Sequence, residues 1–493
     1  MAYDGCAISE FPDVEKVTAQ LAELIDSPVY GVRPDALAKY EEEYFEKKCP
    51  RSKEMITEAK TVIPGGVQHN LAFNYPFPIV VTKAEGTKLY DIDGNEYYDL
   101  LQAGGPTILG SNMPQIREQV IDLLNTCGPS TGLFHEFEYK LAKKISDMVP
   151  SVEMFRMLGS GTESAMCAAR VARLKTGNKN ILKMGGAYHG WSDQVAYGIR
   201  VPGTKSLQSH GIPNYVFGHT DEFFPGDLED LEKKLKRNKA RGGTAAVYVE
   251  PLGPESGTWP VSREFIRGTE ELAHKYGALL IFDEVVTGFR VGPGGAQKYF
   301  GVDPDLTIFG KIIAGGYPGA GGLGGHRDCM QHLGAGLDSS GKKVKKALCG
   351  GTMAATPISC CAGYYTLEEI ERTNACEKAG RMADRLIAGI QASVEKYDLP
   401  FVVYNHGSIC HINTVGTLNF SIDWSKPWTL PRILKETSRR QKEMEHMGAA
   451  YMAEGIVTLA GSRLYTSAAY DEEMIDDLIE RFDRVFSNCG KLD

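Results

Sequence analysis

Nothing in this sequence is apolar for long enough to cross a bilayer, and nothing at its start resembles a secretory leader: MAYDGCAISEFPDVEK places acids where a basic region is required. Excess positive charge is missing too, since 54 Lys and Arg face 63 Asp and Glu for a formal net charge of −9. Without a global basic field, neither nucleic acid nor an anionic membrane is expected as a partner, and any phosphate must be met locally. The 11 cysteines are an odd number with no CxxC pair and no Cys/His cluster at zinc spacing. Neither a disulfide framework nor a metal site is therefore expected, and the expected location is a reducing cytoplasm. A G-x-G-x-x-G turn after an early strand, the dinucleotide fingerprint, is absent.

What the chain does have is size and a dense glycine-punctuated centre. At 493 residues and 42% hydrophobic content it can bury a large core with two or three substructures around it. The run Ala278, Leu279, Leu280, Ile281, Phe282 has no polar alternation, which suits a strand buried on both faces of a parallel sheet, and Asp283 ends it. A second run, Leu306 to Phe309, delivers Gly310 and Lys311. The two runs are expected side by side, with an acid at the tip of one and an amine at the tip of the other, at the sheet edge where open α/β folds bind ligands. That pairing suits pyridoxal phosphate chemistry: a poorly solvated lysine can form a Schiff base, and an aspartate can keep the pyridine nitrogen protonated. From these two residues alone, a turn-capping aspartate and a solvated lysine are the alternative.

A strand is expected at Met154 to Leu158, followed by GSGTESAMCAARVARLKTG. Ser160 and Glu163 fit an S-x-x-E capping box, and Gly177 closes the helix. The helix start is an anion cradle in which Gly161 and Thr162 are candidates for a phosphate, although a well-capped helix with no ligand reads the same way. After a strand at Ile181 to Met184 comes Gly185-Gly186-Ala187-Tyr188-His189, with His189 expected as a hydrogen-bonded structural residue. Glu250 ends a further run, Ala245 to Glu250, and is either satisfied by backbone N–H groups or directly involved.

The segments DEVVTGFR, GGAQKYFGVDPDLT, GKIIAGGYPGAGGLGG and GGTMAATPISCCAG, in that order, resemble class III aminotransferases, most closely the glutamate-1-semialdehyde aminomutase branch, over residues 63–486. The resemblance implies an α/β fold-type I transferase with a mainly parallel seven-stranded sheet flanked by helices, and a small α+β domain built from N- and C-terminal segments. Expected boundaries are a helical extension at 1–62, a segment with a small antiparallel sheet at 63–112, a large cofactor domain at 113–362 and a small domain at 363–493. It implies pyridoxal 5′-phosphate as cofactor and a phosphate contact from Ser160, Gly161 and Thr162. Tyr188 would stack on one ring face with Val285 on the other, Glu250 would join the cofactor site, and Thr352 would reach the phosphate of the partner subunit in a homodimer. Arg463 falls near a position that faces the substrate pocket, where a guanidinium can clamp a carboxylate.

Two departures from the aminomutase pattern bear on the substrate. The branch reads PGGVNSPVRAF where this chain has Gln68 to Ala72, without the arginine, and it carries a tryptophan where this chain has Gly104. The loop at 325–350, with Lys342, Lys343, Lys345 and Lys346, also differs and is expected to be solvated. The favoured reading is amino transfer from an amino acid, β- and ω-amino acids included, to a keto acid. Lys311 would shuttle the proton between Cα and C4′. An aminomutase or epimerase using the same site, and a non-enzymatic nucleotide-binding module, are the alternatives.

The flanks read more simply. Helices are expected at Ala36 to Lys48, Lys53 to Thr61, Tyr364 to Tyr397 and Asp471 to Phe486, and strands near Phe401 to Val403 and Thr417 to Ile422. The acids Glu41, Glu42 and Glu43 beside Lys47 and Lys48 read as a solvated helix face.

Overall fold

The computed structural model describes residues 5–72, 74–334, 341–343 and 345–492; residues 335–340 and 344 of the lysine-bearing loop lie outside the described residues. The chain divides into two compact units, Pro114–Asn374 with Ser421–Thr429, and Met1–Met113 with Ala375–Phe420 and Leu430–Asp493.

The first unit is built on a seven-stranded sheet in the order Met154–Leu158, Gly321–Gly325, Leu306–Gly310, Leu279–Asp283, Thr244–Val249, Asn180–Met184, Thr220–Phe223. Gly321–Gly325 is antiparallel to both its neighbours, and the other four pairings are parallel. The strands Asn180–Met184, Thr244–Val249, Leu279–Asp283 and Leu306–Gly310 are mainly apolar and buried along their whole length, as strands of a parallel sheet covered on both faces should be. The antiparallel strand reads GGLGG because its neighbours' side chains fill the space above it. A Cβ on Gly322 would lie 2.4 Å from the Phe155 ring, and one on Gly324 2.8 Å from Val152. The helix Gly161–Thr176 turns Ala165, Ala168, Ala169 and Ala172 inward, small side chains that let it sit low on the sheet. Because the parallel strands share one direction, residues just past their ends gather at one edge: Gly185, Glu250, Asp283 and Lys311.

Among the described residues the second unit carries three small sheets. The strands Val81–Glu85, Lys88–Asp91 and Glu96–Asp99 pair antiparallel, with Ile456–Val457 added in parallel. The turn at Asp93-Gly94 is held by the Asp91 carboxylate, which accepts from the N–H groups of Asp93 (3.0 Å) and Asn95 (2.8 Å). Val402–His406, Ile409–Asn413 and Arg463–Tyr465 form the second sheet. In the third, Tyr30–Val32 pairs with Cys489–Lys491, which ties the N-terminal residues to the far end of the chain. The helix Val14–Asp26 buries Val17, Leu21 and Leu24 against Val402 and Tyr404. Its last carbonyls are met by a buried guanidinium: Arg440 donates to the oxygens of Leu24, Ile25 and Ser27 at 3.2, 2.9 and 3.0 Å.

Several local expectations are corrected. The helix expected over Tyr364 to Tyr397 is two, Pro357–Thr373 and Ala375–Lys396, broken at Asn374, whose φ of 55° is left-handed. Asparagine tolerates that conformation because its short side chain can hydrogen-bond locally. The strand expected at Thr417 to Ile422 is a 3₁₀ turn, Thr417–Asn419, behind Gly416 at φ 65°. The helix expected at Ala36 to Lys48 is α-helical over Pro34–Tyr40 and widens to a π-helix over Glu41–Glu46, where Glu41 accepts from the Tyr75 hydroxyl while Glu42 and Glu43 face solvent. The 24-residue helix Leu430–Ala453 and the strands Thr220–Phe223 and Gly321–Gly325 had no counterpart in the sequence reading.

Candidate active site

At the carboxyl edge of the seven-stranded sheet, Ile308 pairs with Asp283 across neighbouring parallel strands, and Lys311 follows three residues beyond Ile308. Lys311 opens a 3₁₀ turn, Lys311–Ala314, is half-buried, and holds φ at 50°, a left-handed conformation that L-residues adopt at a cost. Asp283 is buried, and both of its oxygens are already engaged. Oδ1 accepts the N–H of Val285 at 3.0 Å, and Oδ2 lies 2.8 Å from His189 Nδ1. A carboxylate only accepts, so His189 donates from Nδ1 and is the Nδ1–H tautomer. Burial pushes the His189 pKa down, which keeps the ring neutral, although its hydrogen bond to Asp283 pulls the other way. His189 Nε2 is buried with no protein partner.

Glu250 stands at the end of the next strand and is held by backbone N–H groups: Oε1 accepts from Tyr188 (2.8 Å) and Glu255 (3.2 Å), and Oε2 from Ser256 (2.8 Å). Burial, then the charges of Glu255 and Asp283, push its pKa up to about 8. The backbone-satisfied alternative is thus what the contacts show, and the carboxyl fixes the amide that leads into Tyr188. The Tyr188 side chain is 49% exposed, so its ring is open to a ligand.

The phosphate candidates sit on the turn between Met154–Leu158 and the helix Gly161–Thr176. Ser160 caps the helix, its hydroxyl accepting the Glu163 N–H at 3.2 Å. The reciprocal half of the capping box is displaced by one residue, since the Glu163 carboxylate takes the N–H of Gly159 at 2.8 Å rather than that of Ser160. The first N–H groups, those of Gly161 and Thr162, have no intrahelical acceptor and meet the positive end of the helix dipole. Backbones crowd around them. A Cβ on Gly321 would lie 2.3 Å from the Ser160 carbonyl oxygen, one on Gly190 (φ 86°) 2.3 Å from Thr162 Oγ1, and one on Gly161 3.0 Å from Val285 Cγ2. Val285 touches the phosphate turn on one side and, 2.9 Å from a Cβ built on Gly310, the residue before Lys311 on the other. Ser160 and Thr162 line a cavity of about 1080 Å³.

Thr352 is exposed on the turn after Gly351, and Lys342, Lys343, Lys345 and Lys346 are exposed as expected. Arg463 belongs to the second unit, half-buried at the start of Arg463–Tyr465. Among the described residues, no group of three or more His, Cys, Asp or Glu side chains is placed to hold a metal.

One residue had no place in the sequence reading. Lys183 is wholly buried, and its Nζ donates to the carbonyls of Ala187 (2.7 Å), Tyr197 (2.6 Å) and Gly198 (3.4 Å). Burial lowers its pKa to about 8 against the opposing pull of Glu222 and Glu250. The signal was available: a lysine inside the apolar strand NILKM cannot be solvated and must have buried acceptors.

Comparison with known proteins places this geometry in a family. The model of class III aminotransferases matches residues 71–485. A glutamate-1-semialdehyde 2,1-aminomutase of Lachnoclostridium phytofermentans is 35% identical over 88% of this chain and 98% of its own length. One from Geobacillus kaustophilus is 36% identical over 89% and 98%. Among solved structures, an omega-transaminase from Sphaerobacter thermophilus superposes with a TM-score of 0.77 at 26% identity, covering 90% of this chain and 99% of that one. A glutamate-1-semialdehyde aminomutase from Pseudomonas aeruginosa gives 0.75 at 19% identity, covering 97% and 99%. The chain belongs to the class III aminotransferases and is an enzyme of that family, whose cofactor is pyridoxal 5′-phosphate. The residues at the sheet edge fit that cofactor: a dipole-backed turn with close backbone for the phosphate, a buried carboxylate for the ring nitrogen, an open aromatic face and a nearby lysine.

Proposed function

We propose that the protein catalyses amino transfer from an amino acid, β- and ω-amino acids included, to a keto acid such as pyruvate or 2-oxoglutarate. When bound, pyridoxal 5′-phosphate supplies an aldehyde carbon for the amine nitrogen and a ring that withdraws electrons from Cα. The N–H groups of Gly161 and Thr162, with the Ser160 cap, hold its phosphate. Asp283, oriented by His189 and the Val285 N–H, would hold the proton on the ring nitrogen. Tyr188 and Val285 would confine the ring between them and so orient the substrate for reaction. Lys311 would take the proton from substrate Cα as base and return it as acid. Glu250 positions Tyr188 through its amide, and Arg463 is proposed to clamp the substrate carboxylate. We further propose a cytoplasmic homodimer in which Thr352 completes the partner's phosphate site, and the division into an extension, an antiparallel segment, a cofactor domain and a small domain. Among the described residues no helix is long and apolar enough to cross a membrane.

One observation carries transfer between two substrates over rearrangement within one. Residues 102–105 hold four successive positive φ angles, 46°, 52°, 84° and 116°, and a Cβ on Gly104 would come 3.1 Å from Leu71. That backbone is built for glycine at 104, where the aminomutase branch carries tryptophan. With the arginine also replaced, the enclosure that retains an aminomutase's intermediate is not supplied by these residues.

The names of the curated relatives favour a second reading, isomerisation of glutamate-1-semialdehyde. A panel of amino donors mixed with cofactor-loaded enzyme, without acceptor, separates the two. Amino transfer releases one keto acid per site, and Lys311→Ala abolishes it. If no donor releases a keto acid while glutamate-1-semialdehyde is isomerised, amino transfer is wrong and the second reading stands.

A further inference from the structure

The cavity beside the phosphate turn is lined by Ser160, Thr162 and Trp191 and also by Cys167, Arg170 and Cys349, three residues for which amino transfer has no use. Cys167 is buried on the helix Gly161–Thr176, whose first turn is the proposed phosphate site. Cys349 arrives from a distant part of the chain and lies half-buried against the same apolar cluster that contains Cys167. The two stretches are also tied by backbone: Arg170, one turn beyond Cys167, donates from Nη1 to the carbonyl of Leu348, the residue before Cys349. The thiols are therefore held on one wall of one cavity, with the cavity itself as the route for a small molecule to reach them.

Their surroundings divide the labour. The Cys349 thiol is held down to about 7, first by its interaction with the Cys167 thiol and then by the charges of Arg170 and Arg156, against the effect of burial. The same interaction, with burial, pushes the Cys167 thiol up. At neutral pH Cys349 is thus about half thiolate while Cys167 keeps its proton, which is the arrangement of an attacking and a resolving thiol.

We propose that Cys167 and Cys349 are a redox-modification site, oxidised by peroxide to a disulfide that fastens residues 345–352 to the helix Gly161–Thr176. The Cys349 thiolate attacks one oxygen of hydrogen peroxide and the O–O bond breaks. The hydroxide released takes up the proton that Cys349 had lost, giving water and a sulfenic acid on Cys349. The Cys167 sulfur then attacks the Cys349 sulfur: the S–S bond forms, the S–O bond breaks, and the hydroxyl leaves with the Cys167 proton as a second water. In sum, two thiols and one peroxide give one disulfide and two waters, and a reducing thiol reverses the change by exchange. Cys349 lies three residues before Thr352, and Cys167 rides the helix whose N–H groups are proposed to hold the phosphate, so the bond would slow release of the cofactor. That consequence, though not the disulfide itself, rests on the phosphate site proposed above.

The test uses the full-length, cofactor-loaded protein treated with hydrogen peroxide, its remaining thiols then alkylated and its peptides mapped. A linked Cys167–Cys349 peptide is expected, lighter by two hydrogen atoms than its two parts, absent after dithiothreitol and absent in Cys349→Ser. In Cys167→Ala, which lacks the resolving thiol, Cys349 is expected to run on to the sulfinic acid. The proposal is overturned if both cysteines of the treated wild type still alkylate, if Cys349 is over-oxidised while Cys167 remains a thiol, or if Cys349 is found joined to a different cysteine. Mapping reads sulfur and not turnover, so it stands apart from the assignment of amino transfer. Cofactor release from the same oxidised sample should be slower than from the reduced one, and equal rates overturn the link to the phosphate turn.

Discussion

Lys183 shows how much of the site depends on a residue that meets no substrate. Its ammonium spans from the strand Asn180–Met184 to the carbonyls of Ala187 and Tyr197, and so closes the stretch that carries Tyr188 and His189. Lys183→Met keeps the length and removes the donors, leaving the carbonyls of Ala187, Tyr197 and Gly198 without this partner, at roughly 1 to 3 kcal/mol for each that stays unmet. Relief of the buried charge, whose cost shows in a pKa of about 8, offsets part of this. We expect a lower thermal midpoint and a cofactor dissociation constant raised about tenfold or more, read by fluorescence quenching on the apo protein. Unchanged affinity would mean that the turn holds its shape without the lysine. The placement of Asp283 and Lys311 at the sheet edge was legible in the sequence because each follows a largely apolar run, whereas Lys183, inside such a run, had to be seen with its acceptors.

Between elements the deciding quantity is how closely backbones approach. The turn at Gly190 passes so near the helix Gly161–Thr176 that an added Cβ would stand 2.3 Å from Thr162 Oγ1, and its φ of 86° disfavours any side chain. Gly190→Ala should therefore push the Thr162 turn out of place and weaken phosphate retention by about tenfold or more, a cost of 1.4 kcal/mol or above. Measuring inorganic phosphate competition against the cofactor localises the loss to that turn; equal competition in wild type and variant would refute it. Elements with a strong period or an unbroken apolar run were readable, among them the strands Leu279–Asp283 and Leu306–Gly310 and the capped helix Gly161–Thr176. The strand Gly321–Gly325 was not, because GGLGG carries no β-propensity and is a strand only through what lies on either side of it. The break at Asn374 was hidden for the opposite reason, since apolar periodicity continues through it and only the left-handed residue marks the boundary between units.

At the scale of the whole molecule, stability against acid depends on a histidine that the proposed chemistry does not use. His406 is fully buried among Phe11, Tyr404 and His411, and neither ring nitrogen has a partner. Burial lowers its pKa from 6.5 to about 3. Between those values the unfolded chain takes up a proton that the folded protein refuses, so this residue's contribution is intact above pH 6.5 and is lost as the pH falls, by up to about 1.4 kcal/mol per pH unit. Urea midpoints measured from pH 7 to pH 5 should fall for the wild type and fall less steeply, by about that slope, for His406→Leu. Parallel curves would remove His406 from the acid response.

The glycine strand also sets a schedule for synthesis. Among the described residues Met154–Leu158 lies at the edge of its sheet, and its single partner strand is Gly321–Gly325. A ribosome makes the segment that bears Ser160 early, yet the strand leading into it has nothing to pair with until Gly321–Gly325 emerges, on the order of ten to thirty seconds later at ordinary elongation rates. For that interval the nascent chain carries an open strand edge next to the unfinished phosphate turn, and a chain stalled short of Gly321 keeps that edge open.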